Sequence, residues 1–98
     1  MAHISYKEYG GGYPLLFLHG FCETNKVWED FAHLLSNDFH VLCPDLPGFG
    51  KTSLFANSFT IDDVAKEIKN WLRELSINKC LVVGHSLGGY IALSMARQ

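Results

Sequence analysis

The sequence predicts an α/β fold, a mostly parallel sheet with helices on both faces, on three observations. Short apolar runs at 15–18, 39–43 and 80–83 read as strands buried on both faces. Each run is followed, directly or after a loop, by a segment whose apolar residues recur at helical spacing. Glycine, proline, serine and asparagine punctuate the alternation. A strand–helix repeat of this kind builds a parallel sheet through right-handed crossovers. At 98 residues the chain holds one domain at most.

Taken in order, Ile4 to Tyr9 alternates as a half-buried strand and is stopped by Gly10-Gly11-Gly12. Leu15-Leu16-Phe17-Leu18, after Pro14, is the first buried strand. Val27, Trp28, Phe31, Leu34 and Leu35 then share a helical face, with Thr24 or Asn25 as cap. Phe39 to Cys43, closed by Pro44, is the second buried strand, and residues 45–58 read as a loop. The clearest helix starts at Thr60 and Asp63, a capping-box-like T-x-x-D. Its stripe is Ile61, Val64, Ala65, Ile68, Leu72 and Leu75; Asp62, Lys66, Glu67, Lys69 and Asn70 face water. Cys80 to Val83 is the third buried strand, and Gly88 to Arg97 a mostly apolar helix. No repeat, low-complexity tract or interdomain linker interrupts this order.

Composition excludes several classes of function. With 48% apolar residues and a net charge of −2, the chain is globular and lacks the basic stripe that a phosphate backbone demands. Nucleic acid is therefore not an expected partner. No apolar run approaches the ~20 residues of a membrane span, and the N-terminus has no signal-peptide core. Cys22, Cys43 and Cys80 are odd in number and lack CxxC spacing, which favours reduced thiols and a cytoplasmic setting. His19 and Cys22 suggest a metal half-site, but no second pair completes it, so neither metal nor cofactor is expected.

Chemistry concentrates in three segments. Gly84-His85-Ser86-Leu87-Gly88 fits G-x-S-x-G and sits between an apolar strand and an apolar helix. A bare match is more often a plain glycine-rich turn; these flanks decide otherwise. So sharp a turn needs Gly84 and Gly88, and it lifts the Ser86 hydroxyl above the sheet's carboxyl edge at a helix N-terminus. His19-Gly20-Phe21 leaves an earlier strand at the same edge. Acyl transfer needs two N–H donors for the oxyanion: Leu87 is the first candidate, Phe21 the second, and Gly20 lets the backbone come close. The His19 side chain itself reads as structural, hydrogen-bonded to backbone. In the third segment, Asp45 to Ser53, Gly50-Lys51-Thr52 imitates the tail of a phosphate-binding loop. Asp45 occupies the position of that motif's first glycine, and no helix follows Thr52, so nucleotide binding is a distant reading. Asp45 is first of all a turn residue that bonds its own backbone.

LHGF at 18–21, DLPGFGKTS at 45–53, TIDD at 60–63 and VGHSLGG at 83–89 together resemble the α/β-hydrolase superfamily, in its small serine esterase, lactonase and C–C-bond hydrolase branch. The resemblance covers nearly all of the chain. It implies a partial α/β-hydrolase fold, truncated after the nucleophile-elbow helix, with residues 1–98 as the N-terminal part of one domain. It also implies a serine hydrolase acting on a small-molecule ester or similar acyl substrate, with Ser86 as nucleophile. Serine at position 86 argues against the epoxide-hydrolase and haloalkane-dehalogenase branches, whose nucleophile is aspartate.

The resemblance places the acid and then the histidine downstream of the elbow, where this chain has neither. His3, His33 and His40 lie at the wrong places for a base, and His85 is expected to project away from the site. The 98 residues alone are therefore expected to be nearly inactive. A non-catalytic binding or assembly module using the same half-fold is the alternative. In the family's sheet the strand 80–83 is internal; without its neighbour it offers an unpaired edge. The expected partners of that edge are the protein's own C-terminal remainder or a second copy.

Overall fold

A computed structural model describes residues 3–21, 23–54 and 58–98. Strand β1 (Tyr6–Tyr9) is followed by β2 (Tyr13–Leu18), a 3-10 turn (Asn25–Trp28), helix α1 (Glu29–Leu35) and β3 (Phe39–Pro44). Helix α2 (Ile61–Glu74), β4 (Leu81–Gly84) and α3 (Leu87–Arg97) complete the chain. The four strands form one sheet in the order β1-β3-β2-β4. β2 pairs in parallel with β3 and with β4, and β1 runs antiparallel to β3. The strand expected from Ile4 starts two residues later: Ile4 is buried in the core, and the Ser5 carbonyl is taken by the Asp45 N–H at 2.8 Å.

Alternation along β2 and β3 divides the interior in two. Leu15, Phe17, Val41 and Cys43 face Ala32 of α1, with Trp28 and Leu35 packed against them. Leu16, Leu18 and Leu42 face Val64, Ala65, Ile68, Trp71 and Leu72 of α2 and Ile91 of α3. Burying a side chain of this size contributes ~1.5–3 kcal/mol. The division follows from topology. The chain crosses from β2 to β3 in one direction and back over β2 to β4 in the other. Crossovers of one hand running in opposite directions place their helices on opposite faces.

Local signals account for the helix ends. The Thr60 hydroxyl accepts the Asp63 N–H at 3.1 Å while the Asp63 carboxylate accepts the Thr60 N–H at 2.9 Å, the reciprocal box that the sequence predicts. At the other end Ser76 adopts φ 61, the Ile77 N–H reaches the Leu72 carbonyl, and the Ser76 N–H that of Arg73. That pairing closes a Schellman motif in which serine stands where glycine is usual. The Thr24 hydroxyl caps the 3-10 turn through the Lys26 N–H. Residues 25–35 begin as 3-10 and continue as α-helix, so the helix expected there is split.

One expectation is corrected. Strand β4 begins at Leu81 and is not buried on both faces: Leu81 is 52% and Val83 40% exposed. It lies at the end of the sheet order and pairs only with β2 among the described residues. Helix α3 buries Gly88, Ile91 and Ser94 and leaves Tyr90 and Leu93 exposed. Cys43 is buried, and burial pushes its thiol up to about 12. Cys80 is half-buried with its thiol raised for the same reason, and Cys22 lies outside the described residues.

Candidate active site

The topology locates the site before any side chain is considered. Leu18 and Gly84, the last residues of β2 and β4, are register partners, so the two strands end side by side. From there the chain leaves β2 toward α1 on one face and leaves β4 toward α3 on the other. Adjacent parallel strands whose continuations part to opposite faces open a crevice at their carboxyl ends, where α/β folds place ligands.

Ser86 stands at the mouth of this crevice with φ 56 and ψ −114, left-handed backbone for a residue that carries a Cβ. It forms the N-terminus of α3, yet its hydroxyl caps no N–H of that helix. The strained turn is fixed on both sides. The His85 N–H donates to the Leu18 carbonyl at 3.0 Å, and the Tyr90 and Gly89 N–H groups return to the Ser86 carbonyl. A Cβ at Gly84 would stand 2.3 Å from the Gly88 carbonyl oxygen. Position 84 therefore admits only glycine, and a Cβ at Gly88 would run into the backbone of β2 instead. Leu87 is the first helical residue, where an N–H has no acceptor within its own helix.

His19, fully buried, holds this edge together. Its Nε2 accepts the Leu46 N–H at 2.9 Å, which places the ring proton on Nδ1, where it donates to the Gly20 carbonyl at 2.8 Å. Both nitrogens are spent on backbone, as the sequence predicts for this side chain. Asp45 is a second clamp. Its two oxygens accept the Asn25 N–H at 2.7 Å and the Lys51 N–H at 3.0 Å, so it bonds its own loop and also the loop after β2. Gly50, at φ 54, leaves the room that this carboxylate occupies, since a Cβ there would lie 2.4 Å from the Asp45 Cγ. No helix begins between Thr52 and Thr60 among the described residues, and the Thr52 Oγ instead accepts the Ser5 N–H. The resemblance of 50–52 to a phosphate loop therefore has no structural counterpart.

Phe21 is 70% exposed and meets Phe49 edge-on at 5.4 Å, beside the crevice. Its turn is closed by a residue that sequence reasoning missed. The Glu23 carboxylate accepts the Gly20 N–H at 2.6 Å and lies 3.3 Å from Nδ1 of His85. Acceptance of the Gly20 N–H holds its carboxyl below the usual range, and the His85 bond adds to that. The legible signal was a glutamate three residues after Gly20, the spacing of a reciprocal turn cap. His85 thus turns to Glu23 beside the 20–23 turn, a partner that strand alternation alone did not disclose. A small apolar cavity of about 110 Å³ lies next to the elbow, lined by Phe49, Leu87 and Ile91 among others. His3, His33 and His40 stand apart: His40 pairs with Glu8 at 3.1 Å, and the His33 ring packs on Tyr9. Among the described residues no group of three metal-ligating side chains converges.

Strand order, crevice and strained elbow define the alpha/beta hydrolase fold, and a family profile of that description matches residues 13–98. The chain belongs to the α/β-hydrolase family. It is 32% identical over 93 residues to the soluble epoxide hydrolase of Corynebacterium sp. (strain C12), covering 95% of this chain and 32% of that protein. It is 33% identical over 92 residues to the fluoroacetate dehalogenase of Burkholderia sp, covering 89% of this chain and 30% of that one. Among solved structures, a thermophilic esterase from Thermogutta terrifontis superposes with a TM-score of 0.94 at 30% identity, over 99% of this chain and 36% of the esterase. The chain thus spans about a third of the length of the curated relatives it matches.

Proposed function

We propose that this chain carries the nucleophile and the backbone oxyanion donors of a serine hydrolase that acts on an ester or similar acyl substrate. Ser86 attacks the acyl carbon. The Phe21 and Leu87 N–H groups receive the charge that develops on the carbonyl oxygen. The observation that carries this reading is the left-handed backbone of Ser86, φ 56 and ψ −114. Strain of ~1–3 kcal/mol at a single residue persists where function requires it. Serine, not aspartate, at that position favours the acyl reading over the epoxide and dehalogenation chemistry in two relatives' names.

An unassisted serine hydroxyl is a weak nucleophile at neutral pH. His19 and His85, the two imidazoles at this edge, bond Leu46, Gly20 and Glu23 rather than Ser86. The base and its orienting acid are therefore assigned to sequence outside these 98 residues, and the isolated chain to near-inactivity. In the full-length protein Ser86→Ala should reduce turnover of p-nitrophenyl esters by ~10⁴-fold or more. A fluorophosphonate should label the Ser86 peptide, located by mass spectrometry. Near-normal turnover by the alanine variant removes Ser86 from the role. Ester turnover by the isolated chain at the rate of the full protein overturns the missing base.

A further inference from the structure

We propose that Glu23 is a positioning residue that fixes the spacing between the Phe21 and Leu87 donors by tying the 20–23 turn to the elbow through His85. The inference rests on the oxyanion reading given above.

Two bonds of opposite sense close the turn. The Gly20 N–H donates to Glu23 Oε1 at 2.6 Å, and the Glu23 N–H returns to the Gly20 carbonyl at 3.2 Å. Gly20 is buried, so its N–H would be unsatisfied without the carboxylate. Phe21 sits inside this closed ring, and neither bond uses its N–H. The same Oε1 faces Nδ1 of His85, which must donate because a carboxylate oxygen only accepts. His85 is in turn pinned to β2 through the Leu18 carbonyl and precedes Ser86 directly. One carboxylate thus spans the two segments that present the donors.

Other roles fit poorly. Glu23 is half-buried and belongs to neither apolar cluster. Its Oε1 meets both a backbone amide and an imidazole, which makes the carboxylate a tie between two segments. His85 and His19 are the titratable groups that face it. An oxyanion hole works by preorganisation, so a group that merely holds a donor in place changes the reaction rate more than the affinity for the ground state.

The test uses the full-length enzyme and its variants Glu23→Ala, Glu23→Gln, His85→Ala and the Glu23→Ala/His85→Ala double variant. Glu23→Ala should lower kcat by about 10–100-fold with KM and melting midpoint nearly unchanged. Its affinity for an arylboronic acid, which forms a tetrahedral adduct, should fall by the same factor. Glu23→Gln keeps an oxygen for the Gly20 N–H and should recover most of the loss. The double variant should lose no more than Glu23→Ala alone. His85 is exposed, so its alanine variant keeps the question open should Glu23→Ala fail to fold; it too should weaken the boronate adduct. A kcat within twofold of wild type, unchanged boronate affinity, or losses that multiply in the double variant overturn the proposal. Ser86→Ala measured in parallel separates the two ideas. Full turnover there defeats the nucleophile assignment, whereas an inactive Ser86→Ala beside a fully active Glu23→Ala defeats only the role of Glu23.

Discussion

Gly88 packs so close to Leu18 that a Cβ at position 88 would stand 2.1 Å from the Leu18 carbonyl oxygen. The obstacle is backbone of the central strand, which cannot swing aside. Gly88→Ala should therefore destabilise the full-length protein by about 1–3 kcal/mol, the scale of forced overpacking. Guanidinium unfolding followed by circular dichroism measures it. An unchanged midpoint would mean that the elbow has slack the geometry denies.

Strain at Ser86 gives the opposite sign. Glycine tolerates φ 56, whereas alanine does not. Relief of ~1–3 kcal/mol of backbone strain outweighs the ~0.5–1 kcal/mol of unfolded-state entropy that glycine adds. Ser86→Gly should thus melt above Ser86→Ala, both lacking esterase turnover. Comparing these two variants removes the hydroxyl from consideration. Calorimetry showing Ser86→Gly as the less stable of the pair contradicts the strain.

Acid should act through Glu23. Its carboxyl is lowered from 4.5 by the Gly20 N–H and then by His85, so the folded state binds that proton more weakly than the unfolded chain. A depressed carboxylate contributes stability above its unfolded value and loses it as pH falls through the folded one. Glu23→Gln should flatten the stability profile below about pH 5. Denaturant midpoints in a pH series report it; parallel acid limbs for the two proteins rule the contribution out.

The side of β4 that is unpaired among the described residues is expected to govern the behaviour of the isolated chain. A groove of about 850 Å³ runs along it, lined by Cys80, Val82, Gly84, Ala92, Leu93 and Met95 among others. Unpaired strand edges and apolar surface favour association. The 98-residue chain alone is expected to self-associate or to bind its own C-terminal remainder. A single cooperatively folded 11.0 kDa species in analytical ultracentrifugation, with no affinity for that remainder, would refute this.

Where the sequence could be read, a local physical cause was sufficient. The box at Thr60 and Asp63 needs only its own four residues, and the strands 15–18 and 39–43 announce themselves by apolar runs in which Leu15 to Leu18 and Val41 to Cys43 are buried. The elbow was legible because Gly84 is demanded by geometry inside the turn, whereas Gly88 is demanded by β2. What escaped depends on residues far apart in the chain. The bond between Glu23 and His85 joins loops from two strands, and nothing near either residue reveals the other. The second anchor of Asp45 on Asn25 is of the same kind. Burial of β4 was overstated because an apolar run shows what a strand can bury, not what stands beside it.

The sheet order also sets a timetable. Leu15 of β2 faces Val41 on one side and Leu81 on the other, so the central strand must wait far longer for its second neighbour than for its first. A ribosome adding ~5–20 residues per second delivers β3 seconds before β4. During that interval β1, β3 and β2 can assemble with Cys43, Val41 and Phe17 already sheltered by α1. On that order the strained serine is expected to close last, against a scaffold that precedes it, as a keystone does.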